Sequence, residues 1–546
     1  MSRSTLLRFG FWLLVCLVAL ALGCWLRAVN APEWLRPDTG QDPPVLRPWA
    51  VEADCYSQLA RVQRILHGDG LIQNHFKVEN WPEGMVPSTT APFDYVILLL
   101  YLPLTLVTKY PLDWAGALVS PALWIALVLF WMLFRSHTFN LTGRALLIIG
   151  SAALPAIVWG TACGRPRHQS LILALVAVAL TAEYERWHLE LFEKRAWNVA
   201  AGIVWGLACW TSLFEPAIIL TLLVVYNLIV RRRESRGFLV SFGLVMLAML
   251  LVEGGHVFSS IVNIYSLTPE YRRYALNWLS TISEVNGMSF VGFINNITLI
   301  VIILPLIAWR LFARAGDRRT DLFLVLITTL LMIVTALQTR WLYYATLGEL
   351  FLIARYCQIE PLRWSRVVVL VIFFAGLADA NYEQVTYAKA MEPNLPSVEL
   401  AEIARSIDQP GGIMAPWWLS PGLLYFSGQP IVTGSSHCGI SGIVAGAKFF
   451  ASTSWPDAEQ ILRERRVRWI VVYIDDPPQY VPIYPVLNNS RHILGLDPYT
   501  KVDNQAADLT VWRTLVNDQT EYIPHDLRLR AITPQLKLYE YDPGSG

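Results

Sequence analysis

Little charge marks this chain. Asp, Glu, Lys and Arg make up 16% of its 546 residues, and their signs almost cancel to a formal net charge of +1. A nucleic-acid binder concentrates positive charge on one face, so this balance counts against such a partner. Cysteine is sparse as well. The seven cysteines (Cys16, Cys24, Cys55, Cys163, Cys209, Cys357 and Cys438) show neither CxxC nor Cys/His ligand spacing, which argues against a disulfide framework and a zinc site. Most lie in apolar runs, where cysteine behaves as a small hydrophobe. The nine histidines form no HxxxH or HExxH pattern. Internal repeats and low-complexity tracts are also missing, which lowers the case for a secondary transporter assembled from repeated halves.

What remains is apolar. Hydrophobic residues reach 54% and the mean hydropathy is +0.42, a membrane composition. Eleven runs read as spans, at about 9–29, 114–134, 145–163, 169–184, 198–213, 215–231, 237–253, 290–309, 320–338, 341–355 and 365–379. With the N-terminus inside, the basic loops at 135–144, 183–195, 231–236, 310–319 and 355–366 all fall on the cytoplasmic side. Counting the apolar run 93–108 as a further span would break this charge rule, so it reads as an interfacial or re-entrant helix. The expected architecture is a polytopic α-helical membrane domain over 1–379, with eleven to thirteen transmembrane helices. A C-terminal extracytoplasmic mixed α/β domain over 380–546 follows, with a strand at VRWIVVYI (467–474) and a helix at PDAEQILRERR (456–466). The implied location is a plasma membrane of the bacterial inner-membrane kind.

This topology leaves four segments outside: the first loop 30–113, a short loop at GRPRHQ (164–169), a late loop 254–289, and the C-terminal part. In the first loop, helical spacing over 51–70 places Asp54 where an N-cap belongs, and Gly68 can end the helix. Capping is the ordinary role for such an aspartate. Glu284 in the late loop reads on its own as a solvated charge. Arg165, Arg167 and His168 sit at the membrane boundary. They either snorkel to lipid phosphates or face a polar cavity, and the residues alone leave both open.

Taken in order, the motifs EAD (52–54), GRPRHQ (164–169), TISE (281–284), QTRW (338–341) and APWWLSPGLLYFSGQPIVTG (415–434) resemble those of the catalytic subunit of oligosaccharyltransferase, a GT-C glycosyltransferase. The resemblance spans nearly the whole chain and rests on motif order more than on any single motif. It implies transfer of a glycan from a polyprenyl diphosphate carrier to an acceptor protein or glycan at the outer face. By the same resemblance Asp54 and Glu284 hold a divalent metal (Mg or Mn) and face the acceptor, while Arg340 grips the lipid phosphate. Arg165 and His168 lie in the second catalytic loop, and Trp417 and Trp418 belong to the acceptor side. His437, in GSSHCGISG after a predicted strand, reads either as a substrate contact reaching the site from the outer domain or as a hydrogen-bonded loop histidine. The segment 81–95 is similar to the family's Pro-rich lead into a helix beside the lipid site.

Two departures shape the expected chemistry. Arg167 stands where the family's second loop carries a metal-binding acid, which removes a carboxylate and adds a repelling cation. Leu419 replaces the aspartate of the family's WWD element, so the polar contacts that select a sequon are mostly gone. One reading is a transferase in which Arg167 takes over part of the metal's charge, with Asp54 as base. The other is an inactive scaffold that binds a lipid-linked glycan or a partner.

Overall fold

The computed structural model describes residues 3–543 apart from positions 39, 41, 88, 135–137, 189–190, 231–233, 259–265, 315–317, 361, 391–394, 475–484, 500–508 and 518–522. The arginines of RRRESR at 231–233 therefore lie outside the described residues, as do parts of the basic loops at 135–144 and 310–319. The chain forms two compact units. One gathers Met1–Trp34, Ala115–Val252 and Ser283–Glu392; the other gathers Leu35–Trp114, Glu253–Ile282 and Pro393–Gly546.

The first unit is helical. Among the described residues, four helices are long and apolar enough to cross a membrane by length and composition: Phe9–Ala28, Pro111–Leu133, Arg236–Glu253 and Arg363–Thr386. Their exposed faces carry Leu14, Leu17, Leu247, Leu251 and Val371. In water such faces would be costly; against lipid they are not. Two expected spans are broken instead of continuous. The run 145–163 splits into Leu141–Ala153 and Pro155–Gly160 because Pro155 forces Leu154 into extended backbone (ψ 122). The run 290–309 becomes Phe290–Ile297, a 3-10 turn Leu299–Ile302 and Leu304–Arg314, parted at Thr298 with φ 77. Gly376 makes that break possible: a Cβ there would lie 2.9 Å from Thr298 Cβ. The helix carrying Gly376 runs Arg363–Ala390, past the expected end of the membrane domain at 379.

The C-terminal end of the first helix is pinned by Arg27, which is fully buried. Its guanidinium donates to Thr161 Oγ1 at 2.8 Å and to the carbonyls of Gly23, Ala152 and Ser151, and it covers the Trp124 ring at 3.7 Å. With these partners the cation is well satisfied, and the Arg27 carbonyl also accepts the amide of Cys163. The entry to the GRPRHQ loop is thereby held.

The second unit is mixed α/β. Strands β1 (Leu35–Asp38) and β2 (Val45–Pro48) form an antiparallel pair. Strands β3 (Gly412–Met414), β4 (Val467–Tyr473), β5 (Leu527–Ile532) and β6 (Leu536–Tyr541) form a sheet of order β3-β4-β6-β5. β3 and β4 run parallel, whereas the other two pairings are antiparallel. The expected strand at 467–474 and helix at 456–466 appear as β4 and Trp455–Glu464. β4 buries five of its seven residues, consistent with a central strand covered on both faces. The first-loop helix is Ala53–Leu66, packed through Cys55, Tyr56, Leu59 and Val62, and it ends before Gly68 at φ 89. Its N-cap is Glu52, without a side-chain cap bond; Asp54 lies within the first turn and is not the cap. The apolar run 93–108 forms the helix Pro92–Leu104, with Leu99 and Leu102 exposed and Asp94 buried. Asp94 binds Arg61 at 2.6 Å and accepts from Gln58, which ties this helix to Ala53–Leu66.

Candidate functional site

One charge constellation lies within the helical unit, where three short segments meet the start of the helix Phe214–Ile229. Gly164, at φ 75, takes a left-handed turn that favours glycine, and its amide binds the Ala117 carbonyl at 3.1 Å. Arg167 then ends the loop: its carbonyl accepts the amide and the hydroxyl of Ser170 at 3.0 and 2.8 Å, where the helix His168–His188 begins. The second segment is the 3-10 turn Ser283–Val285, which carries Glu284. The third is the 3-10 turn Thr339–Trp341, which carries Arg340. Thr339 fastens the second segment to the third: its amide and hydroxyl both bind the Asn286 carbonyl, at 2.9 and 2.8 Å.

Two ion pairs result. Arg167 Nη1 binds Glu284 Oε1. Arg340 binds Glu215 Oε1 through Nη2 and also through Nε at 3.1 Å. The pairs lie within electrostatic reach of one another, since Arg340 feels Glu284, and His168 acts on Glu215. Exposure separates the roles of the four groups. Glu284 and Arg340 keep 26% and 29% of their side-chain surface, whereas Arg167 and Glu215 keep 12% and 1%. The unit therefore presents one carboxylate and one guanidinium outward, each backed by a more deeply buried counter-ion. Arg167, Glu284, Arg340 and His168, chosen from sequence, fall in one cluster.

Arg165 takes a different place. It is 3% exposed and its guanidinium lies 3.3 Å from the Trp159 ring, while its carbonyl accepts the Ser120 hydroxyl at 2.5 Å. It thus anchors the loop from within. Glu215 was hidden in the sequence. It opens an apolar run that reads as a span, and the signal that could have found it is a carboxylate at a span end three residues after Ser212.

The second unit carries the remaining candidates. Asp54 is exposed on the first turn of its helix. Ser57, on the same helix, bonds Ser435 Oγ at 3.0 Å, which brings the helix against the loop holding His437. His437 opens the 3-10 turn His437–Gly439 and is half-buried. Glu79 packs against Gly434, where any Cβ would strike its carboxyl group. It is 2% exposed, and its Oε1 is buried without a hydrogen-bond partner. Burial pushes the Glu79 carboxyl up to about 8; the Ser436 amide opposes this and the Asp54 charge adds to it. Trp417 and Trp418 are half-buried and meet edge to face at 5.7 Å. Trp417 also meets Trp278 at 5.6 Å and donates to Asn489 Oδ1 at 3.0 Å. Leu419 is 4% exposed and packs inward.

The donor set of the helical cluster does not fit a divalent cation. A hard ion takes several free oxygen ligands, yet Glu284 and Glu215 each bind an arginine. Among the described residues no group of three or more His, Cys, Asp or Glu side chains could hold a metal.

The fold is similar to that of solved oligosaccharyltransferases. The oligosaccharyltransferase of Archaeoglobus fulgidus in the apo form is similar to this chain with a TM-score of 0.64 at 13% identity, over 91% of this chain and 72% of that one. The archaeal oligosaccharyltransferase AglB from the same organism, in complex with an inhibitory peptide and a dolichol-phosphate, gives 0.62 at 13% identity, over 86% and 70%. ArnT from Cupriavidus metallidurans in the apo state gives 0.49 at 13% identity, over 97% and 98%. No protein-family model matches the sequence, and no curated protein matches it at a significant level.

Proposed function

We propose that this protein is a membrane glycosyltransferase that moves a sugar or oligosaccharide from a polyprenyl (di)phosphate carrier to an acceptor at the outer face of the membrane. The observation that carries the reading is that Arg340 and Glu284 are the more exposed members of two neighbouring ion pairs, each backed by its own counter-ion, Glu215 and Arg167. In such a transfer the acceptor attacks the anomeric carbon, the bond from that carbon to the phosphate oxygen breaks, and the acceptor loses a proton. Arg340 suits the departing oxygen, because a planar guanidinium can hold phosphate oxygens in pairs. Glu284 suits the acceptor as an orienting carboxylate. Arg167 neutralises Glu284 from behind and so takes on part of the charge balance that a metal supplies elsewhere. Asp54, assigned by resemblance, is proposed as the acceptor-side base, with Trp417, Trp418 and His437 as acceptor contacts. The fold likeness to an oligosaccharyltransferase in complex with a dolichol-phosphate supports a lipid phosphate donor.

The test is transfer of labelled sugar from a polyprenyl-linked donor by the full chain in proteoliposomes. Arg340→Ala, Arg167→Ala and Asp54→Ala should each lower transfer by about 100-fold or more, the usual effect of removing a charge that stabilises the transition state. A chelator should leave the wild-type rate unchanged. Full activity in Arg340→Ala, or abolition of wild-type transfer by chelator, would remove this reading. The buried Leu419 in place of a sequon-reading aspartate favours a second reading, a scaffold that binds lipid-linked glycan without turnover. Donor binding with no product in the wild type would select it.

A further inference from the structure

Glu215 belongs to none of the motifs, yet it makes two bonds to the guanidinium assigned to the donor phosphate. The geometry points to Glu215 as a built-in counter-ion that competes with the carrier phosphate for Arg340 and thereby governs release of the spent carrier. The inference rests on the glycosyltransferase reading above. Arg340 converges on a single carboxylate oxygen, Oε1, through Nε and Nη2. The other oxygen, Oε2, accepts the Ser212 hydroxyl at 2.8 Å. The carboxylate is thus held from behind, at the first turn of Phe214–Ile229, where a helix favours negative charge. It stays in place whichever anion Arg340 engages.

Arg340 is the partner placed to change allegiance. It keeps 29% of its side-chain surface against 1% for Glu215. Phe214 lies 5.0 Å from its guanidinium carbon and holds the plane without using its N–H donors. A guanidinium has five such donors and Glu215 occupies two, so a phosphate can bind the remaining edge.

Charge gives this arrangement a direction. When the anomeric carbon–oxygen bond breaks, its electron pair stays on the phosphate oxygen while the acceptor gives up its proton, so the terminal phosphate of the free carrier gains up to about one negative charge. Arg340 alone would hold that product more tightly than the donor. A fixed carboxylate opposing the added charge weakens the product complex most, so Glu215 acts as a positioning residue for turnover.

The experiment compares wild type, Glu215→Gln, Ser212→Ala and Arg340→Ala as full chains in nanodiscs of neutral lipid, with a C55 polyprenyl phosphate as the binding probe. Glu215→Gln should bind the probe about tenfold tighter, and in transfer assays KM and kcat should both fall, with product release slowed. Ser212→Ala, which frees the carboxylate without removing it, should shift the same way by a smaller factor. Arg340→Ala should lose the probe. A merely structural ion pair predicts the opposite sign, with weaker binding and a raised KM in Glu215→Gln. That result, or unchanged affinity in Glu215→Gln where Arg340→Ala still abolishes binding, would overturn the counter-ion role and leave the transferase reading standing. Absence of probe binding and of transfer in both wild type and Glu215→Gln would overturn both.

Discussion

Single residues here are decided by what stands behind them. Arg167 and Arg340 are both arginines at the ends of apolar helices, yet one is the less exposed member of its ion pair and the other the more exposed member of its own. Residue type does not distinguish them; burial does. The same holds for Glu79, which reads in sequence as an ordinary charge beside Trp81 and Pro82. In the folded protein its carboxyl loses its proton near 8, against 4.5 for an unperturbed glutamate. Between those values folding takes up a proton, so stability falls as pH rises and the penalty is complete above the upper value. Over that window the effect is of order 3–5 kcal/mol. Glu79→Gln should therefore show a shallower loss of thermal midpoint than wild type between about pH 5 and 8, with a constant gap at higher pH. Parallel midpoint curves for the two proteins would refute the assignment. Asp54→Asn, by removing the nearby anion, should lower the apparent Glu79 midpoint, read as a shift in its carboxyl infrared band.

At the level of elements, the catalytic candidates depend on how short turns are docked. The turn carrying Glu284 reaches the turn carrying Arg340 because Thr339 binds Asn286 twice and the Met288 amide binds the Ala336 carbonyl at 3.2 Å. Gly287 permits this close passage: a Cβ there would lie 2.6 Å from the Ala336 carbonyl oxygen. Gly287→Ala should push Glu284 away from its place and lower transfer by about 10- to 100-fold, since small displacements of a reacting group are costly. The thermal midpoint should barely move, because the turn buries little apolar surface. A large fall in the midpoint with normal specific activity would show the contact to be structural. Broken helices belong to the same scale. The interruption at Thr298 was not legible in sequence, because its apolar run contains no proline before Pro305 and reads as a continuous span.

For the whole molecule, the orientation expected from the charge of the basic loops can be measured. A C-terminal alkaline phosphatase fusion in a bacterial host should be active, and a fluorescent-protein fusion at the same point should stay dark. A fusion following residue 144 should behave in the opposite way. Reversal of this pattern would overturn the inside assignment of the basic loops and with it the outward placing of the proposed site.

Composition and hydropathy were enough to define a polytopic helical protein with an α/β part near its C-terminus, since apolar runs and strand periodicity are local properties. Motif order pointed to Asp54, Glu284, Arg167 and Arg340 and to a glycosyltransferase fold. Which charges pair is another matter. Arg167 and Glu284 are 117 positions apart, and Arg340 and Glu215 are 125 apart. Only tertiary folding brings such residues together, and only burial selects which partner of each pair faces outward. The role of Glu215 came from that geometry alone.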